Sequence, residues 1–127
     1  MGTPEKTFTV DVDTGSHQLW VDAFNCSECG ERAGMRFNPS DSKTYESLSS
    51  DGRIKYAKGE VEGFYGRDLV SFQGITANST VLFADYRKDI SNPKTNGLIG
   101  LANGKITPNI FDIAYHNNQL ISSTFVF

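Results

Sequence analysis

Hydrophobic and polar residues alternate along much of the chain, and this pattern predicts strands. Between Lys6 and Asp13 the alternation is strict: Phe8, Val10 and Val12 share one face, and polar side chains including Thr7, Thr9 and Asp11 fill the other. Because successive side chains of a strand point to opposite faces of a sheet, we expect a half-buried strand that ends at Asp13.

More strands are expected further along the chain. Thr14-Gly15-Ser16 interrupts the first strand, and Gln18 to Val21 begins a second. Residues 25–52 are rich in Ser, Asn, Asp, Gly and Pro, so we expect loops there with a short helical turn. The later strand-forming runs are Arg53–Lys58 and Glu62–Phe72, which form a hairpin about Gly59, then Ile75–Tyr86 and the short segment Asn96–Leu101.

One helix is expected near the end of the chain. Thr107 suits the capping position and Pro108 the first helical position. The apolar residues that follow are spaced along one helical face: Ile110, Phe111, Ala114 and Tyr115. The fold class predicted from these patterns is all-β with one or two short helices.

Length and composition restrict the function classes. A chain of 127 residues is expected to form one domain, and its 38% hydrophobic content suffices for a core. The net charge of −3 argues against nucleic acid as a partner, because such binding needs a basic face. No apolar run approaches the ~18–20 residues of a membrane span, so no membrane association is expected.

The cysteines and two sequons point to an oxidising compartment. The only cysteines, Cys26 and Cys29, lie three positions apart, and Asn25 and Asn78 each begin a possible glycosylation sequon. The chain has no signal peptide at Met1, so we expect that an upstream segment of a secreted protein is missing.

The sharpest chemical feature is Asp13-Thr14-Gly15-Ser16. An aspartate at the end of an apolar strand is placed on a tight turn at the rim of a sheet. Gly15 lets backbone approach its carboxylate closely, and the Ser16 hydroxyl is expected to donate a hydrogen bond that favours the ionised form. The tetrapeptide alone also fits an ordinary turn.

The surrounding motifs make this turn specific. In order, the chain carries Gly2-Thr3-Pro4, Phe8-Thr9-Val10, Asp13-Thr14-Gly15-Ser16, Leu19-Trp20-Val21, the cysteine loop, Phe37–Tyr45, Ile54–Gly59 and Gly97–Ala102. In this order and spacing the chain resembles the N-terminal lobe of the pepsin-like aspartic proteases. The resemblance covers nearly the whole chain.

The resemblance implies roles for individual residues. Asp13 corresponds to one catalytic aspartate, Gly15 and Ser16 hold its carboxylate, and Thr14 makes crossed hydrogen bonds to a second lobe. Tyr56 corresponds to the flap tyrosine, with Trp20 bonded to its hydroxyl. The remaining implied positions are Ala57, Lys58 and Gly59 in the flap, Leu98 in the hydrophobic-hydrophobic-Gly element, Asp11 beside a substrate pocket, and a disulfide between Cys26 and Cys29.

The resemblance also implies a function and a domain organisation. Residues 1–127 form a single N-terminal lobe, and the second lobe with its own catalytic aspartate and the first strand are expected to be missing. The activity implied is cleavage of peptides or proteins by an aspartate-activated water, with no cofactor and no metal, in a secreted or lysosomal setting. Two alternatives stay open: an inactive homologue that binds peptides, and a single-lobe protease that dimerises as retroviral proteases do.

Several positions depart from the family pattern. Asn96 stands where the family usually has Asp, Ala57 follows the flap tyrosine in place of Gly, and His17-Gln18 replaces small polar residues. Asp11 replaces an apolar residue, and its carboxylate is expected either to favour basic substrate residues or to face solvent or a lysine. None of these changes removes the chemistry.

Other catalytic constellations are weaker. A Ser/His/Asp triad needs a histidine, and of His17 and His116 the second is best explained as a solvated residue at a helix end. Two cysteines supply half of the four ligands of a closed zinc site, and no βαβ unit supports a redox pair. Residues 100–105 are one residue too short between glycines for a phosphate loop, and Ile106 stands where Ser or Thr is required.

Overall fold

A six-stranded mixed sheet forms the body of the protein in a computed structural model, which describes residues 1–29, 35–90 and 95–102. The strands are β1 (Asp11–Asp13), β2 (Leu19–Ser27), β3 (Glu46–Lys55), β4 (Glu60–Phe72), β5 (Ile75–Lys88) and β6 (Gly97–Gly100). Their order across the sheet is β1-β6-β2-β5-β4-β3. A short 3-10 helix spans Pro39–Asp41.

The connections explain this order. β3, β4 and β5 follow one another as antiparallel hairpins, and β2 joins β5 in parallel. The last of the described strands, β6, inserts between the first two: it runs parallel to β1 and antiparallel to β2. This insertion places the end of β1 beside residues that lie far away in the sequence.

One face of the sheet carries a cluster of aromatic rings, here called the aromatic cluster. Phe83 stacks on Phe37 at 4.4 Å between ring centroids and on Phe64 at 5.5 Å, and Tyr45 meets it edge-on at 5.7 Å. Phe83 is fully buried and Phe37 is 3% exposed. Burying these rings removes a large apolar area from water and fastens the loop that contains Phe37 to the sheet.

The opposite face carries a second cluster, here called the indole cluster. It is built around Trp20 and Leu82, which are 2% and 0% exposed, with Ile54, Val61, Ala84 and Cys26. Leu82 and Phe83 are neighbours on β5 and belong to different clusters, as expected for side chains that alternate across a sheet.

The predicted first strand is wrong over most of its length. Only Asp11–Asp13 forms a strand, because residues 6–10 find no strand partner among the described residues. Phe8 and Val10 still pack on the aromatic cluster side, but Val12 is 43% exposed rather than on their buried face.

The prediction of loops over residues 25–52 is also partly wrong. β2 continues to Ser27, and β3 already begins at Glu46, inside the stretch rich in Ser, Asp and Gly. The first residues of β3 are exposed because this strand lies at the edge of the sheet. The later hairpin and strands are confirmed, whereas the helix expected at Thr107 lies outside the described residues.

Candidate active site

The turn that follows β1 is fixed by β6. Asp13 pairs with Gly100 in register, and the N–H of Leu101 donates to the Asp13 carbonyl at 2.9 Å. The chain turns so tightly that a Cβ on Gly100 would lie 2.6 Å from the backbone carbonyl of Ser16. Only glycine fits at this contact without a shift of the backbone, so Gly100 lets the two segments meet.

The Asp13 carboxylate is held by backbone. Its Oδ1 accepts a hydrogen bond from the Gly15 N–H at 2.9 Å, which closes an Asx-type turn two residues long. The expectation that Ser16 donates to this carboxylate is wrong: its Oγ is buried and has no hydrogen-bond partner among the described residues. The nearby Gly15 N–H serves the carboxylate instead, and Thr14 is exposed at the turn.

The β3–β4 hairpin turns through residues 56–59. The Tyr56 N–H donates to the Gly59 carbonyl at 2.7 Å, and Ala57 and Lys58 are exposed at the tip. A Cβ on Gly59 would lie 2.1 Å from the Lys88 carbonyl of β5. The hairpin therefore lies directly on the end of β5, and this contact requires glycine.

Tyr56 joins the hairpin to the indole cluster. The indole Nε1 of Trp20 donates to the Tyr56 hydroxyl at 3.0 Å, the hydrogen bond that the resemblance implied. Burial raises the pKa of the Tyr56 hydroxyl, and the negative charge of Asp13 adds to the rise. The hydroxyl therefore stays neutral through the acidic and neutral range.

A second tyrosine ties the hairpin to the turn after β1. The Tyr65 hydroxyl on β4 donates to the Gln18 Oε1 at 3.0 Å. Burial raises the pKa of this tyrosine as well, so its hydroxyl stays a donor. Gln18 stood out in the sequence as a departure from the family pattern, but Tyr65 did not, since the contact of Tyr65 depends on strand register.

Asp11 and Leu98 lie opposite each other where β1 and β6 pair. The Asp11 Oδ2 accepts a hydrogen bond from the Thr95 hydroxyl at 3.1 Å, and the Asp11 side chain is exposed. Leu98 is partly buried and packs on the indole cluster. The contact with Thr95 was not among the alternatives that the sequence suggested for Asp11.

Cys26 and Cys29 form a disulfide, as predicted. Both sulfur atoms are used in that bond, so neither offers a thiolate to a metal, although Asp22 lies close by. Asn25 and Asn78 are both exposed. Glycosylation at these two residues stays a prediction. No helix within residues 1–29, 35–90 and 95–102 has the length and apolar character needed to cross a membrane.

A buried ion pair next to this site was not predicted from the sequence. Asp22 on β2 and Arg87 on β5 are 0% and 3% exposed, and two guanidinium nitrogens of Arg87 donate to the two carboxylate oxygens. Asp22 follows the Leu19-Trp20-Val21 motif directly, and a charged residue inside such an apolar run is a signal that could have prompted a search for its partner.

Comparisons with known proteins agree with this geometry. The family model described as eukaryotic aspartyl protease matches residues 1–127. The chain belongs to this family. It is 34% identical to cathepsin E of Mus musculus over 120 residues, which covers 88% of the chain and 30% of that relative. It is also 42% identical to pepsin A of Bos taurus over 81 residues, which covers 64% of the chain and 22% of that relative.

The aspartyl protease relatives are much longer than this chain. Embryonic pepsinogen of Gallus gallus matches 98% of the chain at 32% identity, and the match covers 34% of that relative. The chain thus spans about a third or less of the relatives it matches. Its all-β, pepsin-like fold corresponds to their N-terminal region.

Proposed function

We propose that this chain supplies one half of the active site of an aspartic endopeptidase, with Asp13 as its catalytic carboxylate. The observation that carries the proposal is the setting of Asp13: the carboxylate lies at the end of β1, where this strand pairs with β6, and is held by the Gly15 N–H. Membership of the eukaryotic aspartyl protease family supports the same chemistry.

A second carboxylate is needed for catalysis. Two carboxylates at close range share one proton, since like charges so near cannot both ionise. One then acts as a general base on water, and the other polarises the scissile carbonyl. Thr14, which is exposed, would bond with a second lobe beneath the site, and residues 1–127 are proposed to be a single N-terminal lobe.

The substrate is proposed to be an extended peptide that lies under the hairpin tip. Tyr56, Ala57, Lys58 and Gly59 would cover it, with Asp11 and Leu98 on the opposite wall. The disulfide between Cys26 and Cys29 supports an oxidising compartment, and we place the protein in the secretory or lysosomal pathway.

The test compares the 127-residue chain with a two-lobed protein, here called the longer product, in which a second aspartic protease lobe follows residues 1–127, on a quenched peptide at acid pH. We expect the chain alone to be inactive as a monomer and the longer product to cleave. The Asp13→Asn variant of the longer product and pepstatin-type inhibitors are expected to abolish cleavage.

Two outcomes would replace the proposal. A longer product that binds pepstatin but leaves the peptide uncut would identify an inactive peptide-binding homologue. A 127-residue chain that sediments as a dimer and cleaves in an Asp13-dependent way would identify a homodimeric protease, in which two-fold symmetry supplies both aspartates.

A further inference from the structure

The buried ion pair between Asp22 and Arg87 has no part in the chemistry proposed above, and it calls for a physical explanation. Both side chains are almost completely removed from water. Burying two charges costs several kcal/mol per ion, and a pair of this kind is often no more stabilising than apolar residues of similar volume. Stability alone therefore gives little reason for these two residues.

Several hydrogen bonds fix the geometry of the pair. The Arg87 Nε donates to the Asp22 Oδ1 at 2.8 Å, and a terminal guanidinium nitrogen donates to Oδ2. The Asn96 side chain also hydrogen-bonds the Asp22 carboxylate, and the Asp22 N–H donates to the Asn96 carbonyl at 2.8 Å. A two-point contact with a carboxylate that is itself held in place fixes the plane of the guanidinium.

Asn96 suits this arrangement better than an aspartate would. An aspartate at this position, which the family usually has, would set a second carboxylate against Asp22 in a buried site. The amide can instead donate to it. Burial raises the pKa of Asp22, and the hydrogen bonds and charge of Arg87 oppose that rise. Arg87 thus also supports the ionised form of its partner.

The fixed guanidinium lies against the indole of Trp20. The central carbon of the Arg87 guanidinium is 4.9 Å from the centroid of the Trp20 ring. Arginine stacks on aromatic rings through both its charge and its planar shape, and Trp is the strongest partner for this contact. The indole is 2% exposed, and its Nε1 donates to the Tyr56 hydroxyl.

We propose that Arg87, fixed by Asp22, is a positioning residue for the hairpin tip: it sets the plane of the Trp20 indole so that Nε1 points at the Tyr56 hydroxyl. The inference rests on the proposed function at one point, the assignment of Tyr56 as the residue that covers the substrate. Asp22 contacts Arg87, Arg87 contacts Trp20, and Trp20 contacts Tyr56. These contacts do not depend on catalysis, so they can be tested without an activity assay.

The chain offers a clean probe because Trp20 is its single tryptophan. Its indole N–H gives one cross-peak in a proton–nitrogen correlation spectrum of the 127-residue chain. In the parent chain, Tyr56→Phe removes the acceptor of the indole N–H, so we expect the peak to move. We also expect the indole N–H to exchange with solvent about twofold to tenfold faster, the change that corresponds to the loss of one neutral hydrogen bond.

The decisive variant replaces both charges at once, Asp22→Leu with Arg87→Met, because apolar replacement of both partners leaves no unpaired buried charge. We expect this variant to fold, to show the moved indole peak and faster exchange, and to give no further change when Tyr56→Phe is added. The matched control is the exposed Arg67–Glu46 pair, 3.5 Å apart, where Arg67→Met with Glu46→Leu is expected to leave the indole peak in place.

An indole peak that stays at its parent position in the double variant, and still moves on Tyr56→Phe, would overturn the inference. If the double variant does not fold, Arg87→Lys is tested in its place, since lysine keeps the charge but lacks the planar fork. The position of the indole peak, with and without Tyr56→Phe, is then judged in the same way. Loss of peptide cleavage in the longer product is a separate result: it bears on the proposed function, whereas the indole peak reports only on the positioning of Trp20.

Discussion

Leu82 and Phe83 are neighbours on β5 and are both fully buried, yet they belong to regions of opposite character. The aromatic cluster around Phe83 packs rings on rings, with centroids 4.4–6.3 Å apart. The indole cluster around Leu82 carries polar tips, namely the indole N–H of Trp20, the hydroxyls of Tyr56 and Tyr65, and the guanidinium that lies against the indole.

The two clusters therefore have different effects: the aromatic cluster supplies stability, and the indole cluster orients polar groups. Contacts between rings depend mostly on area and volume, so the aromatic cluster holds the sheet together without fixing a particular polar atom. Hydrogen bonds depend on angle as well as distance, so the indole cluster aims donors and acceptors at the hairpin and at the turn after β1. Substitutions in the aromatic cluster should therefore lower stability, whereas substitutions of the polar groups in the indole cluster should change the orientation of their partners.

The largest effect is expected in the aromatic cluster. Phe83→Ala should lower the free energy of unfolding by about 3–5 kcal/mol, because it removes a ring that contacts three others and leaves a cavity. Urea unfolding measures this loss. Phe24→Ala is the control, since Phe24 is 54% exposed and its loss should cost under about 0.5 kcal/mol. Equal losses in the two variants would contradict the assignment of Phe83 to a stabilising core.

A smaller loss is expected from the disulfide at the margin of the indole cluster. Cys26→Ser with Cys29→Ser should lower the free energy of unfolding by at most about 2 kcal/mol, because so short a ring restricts few conformations of the unfolded chain. Thermal unfolding with and without reductant gives the number. A parent that unfolds identically under both conditions would show that the bond contributes nothing.

Within the indole cluster, Tyr56→Phe should cost only about 1 kcal/mol, since it removes one hydrogen bond and no apolar area. It should nevertheless change the emission of the single tryptophan. Tyr65→Phe makes the same chemical change in a hydroxyl that contacts Gln18, so it should leave the emission unchanged. If both variants alter the emission alike, the hydroxyl of Tyr56 has no special relation to Trp20.

In the longer product, Tyr56→Ala extends that test from folding to catalysis. Removing the ring should reduce turnover and leave the chain folded, at a larger cost in stability than Tyr56→Phe, because the ring also packs on the indole cluster. Steady-state kinetics of the parent and variant decide this. Unchanged turnover would remove Tyr56 from the proposed mechanism.

The smallest effect on stability is expected at Asp11, which belongs to neither cluster. Asp11→Val should change the free energy of unfolding by less than about 0.5 kcal/mol, because the side chain is exposed and its hydrogen bond with Thr95 is exposed as well. In the longer product it should shift preference from basic toward apolar residues on the acyl side of the cut bond. Peptides that differ only at that residue test this, and an unchanged preference would place Asp11 outside the pocket.

Local pattern predicted the parts of this structure that depend on local physics. The hairpin at residues 56–59 and the strands on either side follow from alternation and from Gly59. Asp13 was expected at the end of a strand, where the structure has it. The hydrogen bond from Trp20 to Tyr56 came from the family resemblance, since no periodicity relates those two positions.

What the sequence did not predict depends on partners that are distant along the chain. The start of β3 looks like a loop because an edge strand needs few apolar side chains once β4 supplies its hydrogen bonds. Phe37 is central to the aromatic cluster although it lies in a polar segment. The contact between Asp22 and Arg87 follows from the register of β2 against β5, which no single segment encodes.

The insertion of β6 between β1 and β2 has a consequence for the order in which the molecule forms. During synthesis, β3, β4 and β5 can assemble through adjacent hairpins, but Asp13 has no strand beside it until Gly100 has left the ribosome. Closing so long a loop is slow compared with hairpin formation. The turn that bears Asp13 should therefore be the last part of the sheet to become ordered, and in a nascent chain the Asp13 carboxylate has no fixed position until synthesis has passed β6.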